Sequence, residues 1–147
     1  MTLGKMRHAE KTRVLFICIG NACRSPIGEA IARKEANDVI EASSAGFYPM
    51  RMIPEMTQTT LERNGYSAKG LRSKGLREIV SEEIDLVVNL SGYVRAQSLE
   101  KFVRVENWEV SDPYGADEAT YQRILEEIRG RVRELAQRLR KEQRAAV

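Results

Sequence analysis

A cysteine and an arginine bracket a short loop near the amino terminus of the chain. Cys18 is followed six positions later by Arg24 and then by Ser25, and Pro26 opens a stretch typical of a helix. A thiolate is a nucleophile, and the planar guanidinium of arginine matches two oxygens of a phosphate. These residue types in this order favour attack by the thiol on an anion that the arginine holds.

The backbone around this loop should strengthen anion binding. The apolar run at 14–17 predicts a buried strand, which would deliver Cys18 to the carboxyl edge of a parallel sheet, where open α/β folds bind their ligands. The helix that follows presents free amides and a partial positive charge at the same place. This field favours a bound oxyanion and also the thiolate form of Cys18. Ser25 would either donate its hydroxyl to the sulfur or cap the helix.

The candidate acid lies far from this loop in the sequence. A phosphate ester that a thiolate attacks needs a proton for its departing oxygen. Asp112 follows an apolar run and precedes the last helical stretch, so it lies in a loop. Pro113 restricts the backbone of Asp112 to an extended conformation, which suits an acid that must be held in position.

Together these segments resemble those of low-molecular-weight protein tyrosine phosphatases. The resemblance rests on the loop 18–25, on the segment 112–114 and on their order along the chain. It implies that Cys18 forms a phosphocysteine, that Arg24 clamps the transition state, and that Asp112 acts as acid and then as base for the hydrolytic water. The implied substrate is a phosphotyrosine protein or a small aryl phosphate. No metal or other cofactor is expected, because backbone amides and Arg24 hold the phosphate.

The resemblance also assigns roles to the rest of the loop. In the family the loop asparagine, here Asn21, takes a left-handed conformation, which asparagine tolerates better than most residues. Ser25 and Ser44 would support the loop together with Asn21. Where some members add a histidine, this chain has Leu71. The implied phosphate-binding residues are Ile19, Gly20, Asn21, Ala22, Cys23, Arg24 and Ser25.

The resemblance points to four residues around the mouth of the loop as the substrate pocket. They are Ile19, Ala22, Tyr48 and Tyr114. Aromatic walls would hold a phenyl ring flat while its phosphate reaches the loop. For Tyr48, the sequence equally supports a role in capping the turn beside Pro49. The segment 71–76 is interpreted as a polar turn, with phosphate contact as the alternative.

The second thiol of the loop, Cys23, has two interpretations. A disulfide with oxidised Cys18 would protect the nucleophile from irreversible overoxidation, and the family resemblance favours this redox role. The alternative is a small apolar side chain in the interior.

Thioredoxin-coupled arsenate reductases share this fold and loop. They resolve the arsenylated thiol with two further cysteines after the third strand, whereas this chain has no cysteine beyond Cys23. A disulfide relay therefore cannot be built. The alternatives to a tyrosine phosphatase are an arsenate reductase that uses an external thiol and a noncatalytic phosphate-binding module.

The composition limits the class of protein. A chain of 147 residues with 42% hydrophobic content is long enough for one domain with a substantial core. No apolar run approaches the roughly 18 residues of a membrane span, and the amino terminus carries charges where a secretion signal would be apolar. Its 24 basic and 21 acidic residues indicate a mixed surface. We therefore expect a cytoplasmic enzyme without nucleic-acid or membrane partners. It should have a leader at 1–12, either ordered or a flexible tail, and a phosphatase domain at 13–147.

Strands and helices alternate in the predicted order of elements. The strands are expected near 13–19, 39–44, 85–90 and 102–108, and the helices at 26–36, at 54–64 and from about 117 onward. Alternation of this kind predicts an α/β fold. The expected architecture is a single doubly wound domain, with a four-stranded parallel sheet flanked by helices and the phosphate-binding loop after the first strand.

Overall fold

The computed structural model describes residues 10–146. Most of the predicted leader, including His8, lies outside the described residues. The strands are β1 (Thr12–Cys18), β2 (Ile40–Gly46), β3 (Leu86–Asn89) and β4 (Val105–Asn107). The helices are α1 (Arg24–Glu35), α2 (Glu55–Arg63) and α3 (Glu118–Ala146), and short 3-10 turns lie at Leu76–Glu78, Ser81–Glu83 and Gln97–Leu99.

The four strands form one parallel sheet in the order β2-β1-β3-β4. Cys18 is in register with Gly46, and Ile17 with Asn89. The last residues of three strands therefore meet at one edge, and the loop 18–25 leaves the sheet at that edge. This arrangement confirms the predicted α/β fold with a four-stranded parallel sheet and a loop after β1.

The two faces of the sheet are covered differently. On one face Phe16 and Val88 pack with residues of α1 and α3, such as Ile27 and Ile128. Gly28 of α1 lies against Phe16 so closely that a Cβ at this position would be 2.8 Å from the ring, which explains why a side chain is absent there. On the other face, short 3-10 turns cover a smaller apolar cluster that contains Leu15, Ile17, Val87, Leu76, Leu99 and Phe102.

The element bounds differ from the predicted ones mainly in β4. The predicted strand at 102–108 pairs only over Val105–Asn107, because the chain at Phe102 is still in a turn that buries this ring against the second face. β1 begins at Thr12, which pairs with Ile40. Within residues 10–146, no helix combines the length and the apolar composition needed to cross a bilayer.

Candidate active site

Asn21 holds the loop 18–25 in shape. Its φ of +47° is left-handed, and its side-chain amide donates to the hydroxyls of Ser25 at 2.8 Å and Ser44 at 2.9 Å. Its carbonyl oxygen accepts from the backbone N–H of Lys74 at 2.8 Å. A left-handed residue persists where its surroundings fix it, and here three hydrogen bonds do so. Gly46 permits this packing, since a Cβ there would lie 2.6 Å from the Asn21 nitrogen.

A buried carboxylate that the sequence analysis did not identify completes this support. The hydroxyl of Ser44 donates to Glu29 of α1, whose side chain is 2% exposed and forms an ion pair with Arg33. Burying a carboxylate is costly unless it is paired and hydrogen-bonded, and Glu29 has both kinds of partner. The available signal was one acidic residue on the apolar stripe of α1, between Ile27 and Ala30.

Ser25 lies against the nucleophile rather than capping the helix. The sulfur of Cys18 is 2.9 Å from the Ser25 hydroxyl oxygen. The residue at the cap of α1 is Cys23, which makes no side-chain cap hydrogen bond. Ser25 accepts from Asn21, and its one proton can go to Cys18 at 2.9 Å or to the carbonyl of Ala45 at 3.5 Å, of which the contact with Cys18 is the shorter. The geometry therefore favours the first of the two roles that the sequence left open for Ser25.

Arg24 reaches from α1 across the carboxyl edge of the sheet. Its Nη1 donates to the carbonyls of Leu90 at 2.6 Å and Val110 at 3.0 Å, and its side chain is only 6% exposed. Its Nη2 is 3.6 Å from the carboxylate of Asp112. Among the described residues, the buried Nε has no hydrogen-bond partner. One edge of the guanidinium is thus anchored in the protein, and the Nε atom is left for another acceptor.

The carboxylate of Asp112 faces Arg24 from the loop before α3. Its side chain is 46% exposed, and its Oδ1 accepts from the backbone N–H of Tyr114 at 3.1 Å. This hydrogen bond closes a turn over 112–114 and holds Oδ1 against the backbone, and Oδ2 therefore faces Arg24. The carboxylate is held in place and still open to solvent, as an acid and base in turn would need to be.

A cavity of about 200 Å³ joins these groups. It is lined by Cys18, Arg24 and Asp112, of which Asp112 is far from the other two in the sequence. All four predicted pocket residues line it as well. The residues around its mouth are Ile19, Ala22, Tyr48, Met50 and Tyr114. Met50 was not predicted, and no pattern marks it in the sequence. The rings of Tyr48 and Tyr114 are 71% and 57% exposed, so they form the outer walls.

Cys23 lies behind the pocket, with its sulfur 3.2 Å from the hydroxyl of Tyr121 on α3. Burial raises the pKa of the Cys23 thiol, although hydrogen bonds from Tyr121 and Thr57 act in the opposite direction. Burial and the contact with Cys23 likewise raise the pKa of Tyr121. Cys18 and Cys23 are both free thiols in this state. Cys23 would have to leave Tyr121 to form a bond with Cys18.

The segment 71–76 supports the loop from outside. The hydroxyl of Ser73 donates to the carbonyl of Gly20 at 3.1 Å, and Lys74 contributes its backbone N–H to Asn21. Leu71, at the position of the family histidine, packs against the main core instead. In this chain the Ser73 hydroxyl and the Lys74 backbone N–H support the loop, and Leu71 stands where some family members have a histidine.

The family model of the low molecular weight phosphotyrosine protein phosphatases matches residues 13–145. The chain belongs to this family. The match takes in both the loop 18–25 and Asp112, so all the residues that line the cavity fall within the matched range.

Similar proteins within this family carry three different names. A protein-arginine-phosphatase of Bacillus subtilis is 28% identical over 151 residues, which cover 89% of this chain and 99% of that protein. An arsenate reductase structure from Archaeoglobus fulgidus is 32% identical with a TM-score of 0.75, covering 84% of this chain and 98% of that one. A low-molecular-weight protein tyrosine phosphatase from T. tengcongensis is 31% identical with a TM-score of 0.76, covering 88% of this chain and all of that one.

Proposed function

We propose that this phosphatase-family enzyme hydrolyses aryl phosphate monoesters, above all phosphotyrosine in proteins, through a phosphocysteine on Cys18. The observation that carries the proposal is the hydrogen bonding of the Arg24 guanidinium. Its Nη1 is fixed by two backbone carbonyls, while Nε is buried without a partner among the described residues. The Nε and Nη2 edge matches two oxygens of a phosphate, as a bidentate arginine contact requires. The sulfur of Cys18 lines the same cavity.

The proposed reaction has two displacements. In the first, the Cys18 thiolate forms a bond to phosphorus, the ester oxygen departs, and Asp112 gives that oxygen its proton. In the second, Asp112 takes a proton from water, the water oxygen bonds to phosphorus, and the thiolate departs. The Ser25 hydroxyl, 2.9 Å from the sulfur, would stabilise the departing thiolate by donating to it.

The shape of the mouth favours an aromatic ring. Tyr48 and Tyr114 expose their rings on the rim of the cavity, and Ile19 and Met50 add apolar wall. Such walls suit a phenyl ring, whose flat faces pack on other rings. Ala22 contributes a small side chain to the wall of the cavity.

A second candidate activity is arsenate reduction with an external thiol. It is favoured by the arsenate reductases among the similar proteins and by the exposed mouth, which would admit a small thiol to Cys18. With only two cysteines in the chain, the electrons would have to come from that thiol. A third possibility, phosphoarginine in proteins, follows from the relatives named protein-arginine-phosphatases.

The test compares the turnover of wild type and Cys18→Ser on three substrates, with EDTA present and the cysteines of the protein fully reduced. The substrates are a phosphotyrosine peptide, the matched phosphoarginine peptide, and arsenate with glutathione or mycothiol. We expect the highest kcat/KM for phosphotyrosine in the wild type. Cys18→Ser should have no turnover and should still bind phosphate in calorimetry.

Each contrary outcome points to one alternative. Normal turnover by Cys18→Ser would refute the phosphocysteine. A higher kcat/KM for the phosphoarginine peptide would mean that phosphoarginine, and not phosphotyrosine, is the preferred substrate. Arsenate-dependent thiol oxidation without phosphate release would favour the reductase, and phosphate binding without turnover of any substrate would favour a binding module.

A further inference from the structure

A second cavity lies beside the catalytic pocket and shares the ring of Tyr48 with it. It encloses about 580 Å³, and its wall is mainly apolar with two arginines at the rim, Arg51 and Arg77. The apolar side chains are Phe47, Tyr48, Pro49 and Leu76. We name this cavity the arginine groove. It lies outside the residues that would hold the phosphate.

The arginine groove carries an excess of positive charge. Arg51 and Arg77 are exposed, and within residues 10–146 neither forms an ion pair. The one carboxylate in the lining, Glu78, is paired with Arg72 at 3.0 Å. Arg51 also acts on Glu78, but from beyond ion-pair distance, so both rim arginines can still pair with an acidic ligand.

The backbone of Arg51 is held in a costly conformation. Its φ of +73° is left-handed, which is rare for a residue with a long side chain. The hydroxyl of Ser73 accepts from the Arg51 N–H at 3.0 Å and donates to the carbonyl of Gly20 at 3.1 Å. Ser73 thus ties the rim of the groove directly to the phosphate loop. Strain of this kind is concentrated at functional sites. Here the two hydrogen bonds of Ser73 fix Arg51 relative to the catalytic pocket.

We propose that the arginine groove binds an acidic residue two positions from the phosphorylated residue of a protein substrate. This inference rests on the proposed phosphotyrosine activity. In an extended peptide, side chains on the same face recur at every second residue, about 7 Å apart. A chain whose phosphorylated side chain enters the catalytic pocket and that passes over Tyr48 therefore places the side chain two positions away in the groove. There the carboxylate pairs with Arg77 and Arg51, while its methylene groups pack on Leu76.

The experiment uses phosphotyrosine peptides that differ only at the residues two positions before and after the phosphotyrosine, which are Glu in one peptide and Gln in the other. For wild type we expect kcat/KM to be roughly tenfold higher with Glu, as two partly exposed charge pairs would give, and the preference should shrink as salt is added. Arg77→Ala should reduce the preference roughly threefold. Arg51→Gly should do the same, and glycine adopts the left-handed φ without strain, so the loop keeps its course.

Arg144→Ala is the matched control, because Arg144 is an exposed arginine near the carboxyl end of α3, where Gln143 contacts Glu10 at the other end of the sheet. It should leave the Glu preference unchanged. Equal kcat/KM for Glu and Gln peptides, with turnover still dependent on Cys18, would refute the groove and leave the proposed function intact.

A binding measurement separates the two proposals. The affinity of Cys18→Ser for the same peptides, by fluorescence polarisation, should show the same Glu preference and the same loss in Cys18→Ser/Arg77→Ala. A preference in binding without turnover by wild type would support the groove and refute hydrolysis. No preference in either measurement refutes the groove.

Discussion

The phosphate loop and the substrate mouth are neighbours, yet they are built in opposite ways. In the loop, Asn21 and Ser25 are fully buried and Arg24 is 5% exposed. Asn21 and Arg24 form hydrogen bonds with distant parts of the chain, and Ser25 accepts from Asn21. At the mouth, Tyr48 and Tyr114 expose most of their rings. We therefore expect the reaction chemistry to depend on the interior and substrate choice to depend on a few exposed side chains. Substitutions in the loop should damage folding and turnover together, and substitutions at the mouth should change selectivity alone.

After the complete loss expected for Cys18→Ser, the largest effect on turnover is expected for Arg24→Lys. Lysine offers a point charge that cannot hold the carbonyls of Leu90 and Val110 and also two phosphate oxygens. We expect kcat to fall by roughly 10²- to 10³-fold, as when an oxyanion donor is lost. The check is steady-state kinetics on an aryl phosphate, with Arg33→Lys as the control that keeps its pairing with Glu29. A fall of less than tenfold for Arg24→Lys would contradict the clamp.

A strong but selective loss is expected for Asp112→Asn. Without the acid, kcat/KM, which reports the first displacement, should fall by roughly 10²-fold for phenyl phosphate, whose leaving group needs a proton, and by much less for a nitrophenyl ester. The measurement is the dependence of rate on leaving-group pKa. Asp117→Asn is the matched control, because Asp117 accepts from Thr120 at the start of α3 and does not line the pocket. Identical slopes for Asp112→Asn and wild type would remove Asp112 as the acid.

A combined loss of stability and turnover is expected for Asn21→Ala. The substitution removes three hydrogen bonds and leaves alanine at φ +47°, so we expect unfolding to become about 2–3 kcal/mol easier. Asn21→Gly loses the same bonds without the strain and should be the more stable variant in thermal denaturation. Equal stability of the two variants would mean that the left-handed backbone costs nothing.

The same contrast explains how much could be predicted from the sequence. Few residue types can serve as the nucleophile, the phosphate ligand and the acid, so the loop 18–25 and Asp112 stand out in the sequence. The strand and helix around the loop indicate where it lies in the fold. That these residues meet at one site could therefore be predicted from the sequence. Glu29 was missed because a lone acid on an apolar stripe gives no hint of the Ser44 hydroxyl beneath it.

The mouth and the arginine groove were less predictable, for a physical reason. Met50, Arg51 and Arg77 lie in irregular loops without periodicity, and they come together only through tertiary contacts such as those of Ser73. The cover of the second sheet face was equally hidden, since short 3-10 turns lack the spacing that marks a helix.

A smaller effect, visible only under oxidation, is expected at Cys23. Peroxide would convert the Cys18 thiolate to a sulfenic acid, and the Cys23 thiol would then displace water to form a disulfide that dithiothreitol reduces. Wild type should recover its activity after this treatment, and Cys23→Ser should not. Tyr121→Phe removes the contact at 3.2 Å and should speed disulfide formation. Full recovery by Cys23→Ser would leave Cys23 as interior packing.

The smallest effects on folding are expected at the mouth itself. Tyr48→Ala and Tyr114→Ala remove exposed rings, so the free energy of unfolding should change by less than about 0.5 kcal/mol. KM for an aryl phosphate should nevertheless rise by roughly three- to tenfold, because the substrate ring loses an aromatic wall. An alkyl phosphate of similar size, which gains little from stacking, should show no such change. A loss of stability as large as that of Asn21→Ala would mean that the mouth, like the phosphate loop, is part of the folded core.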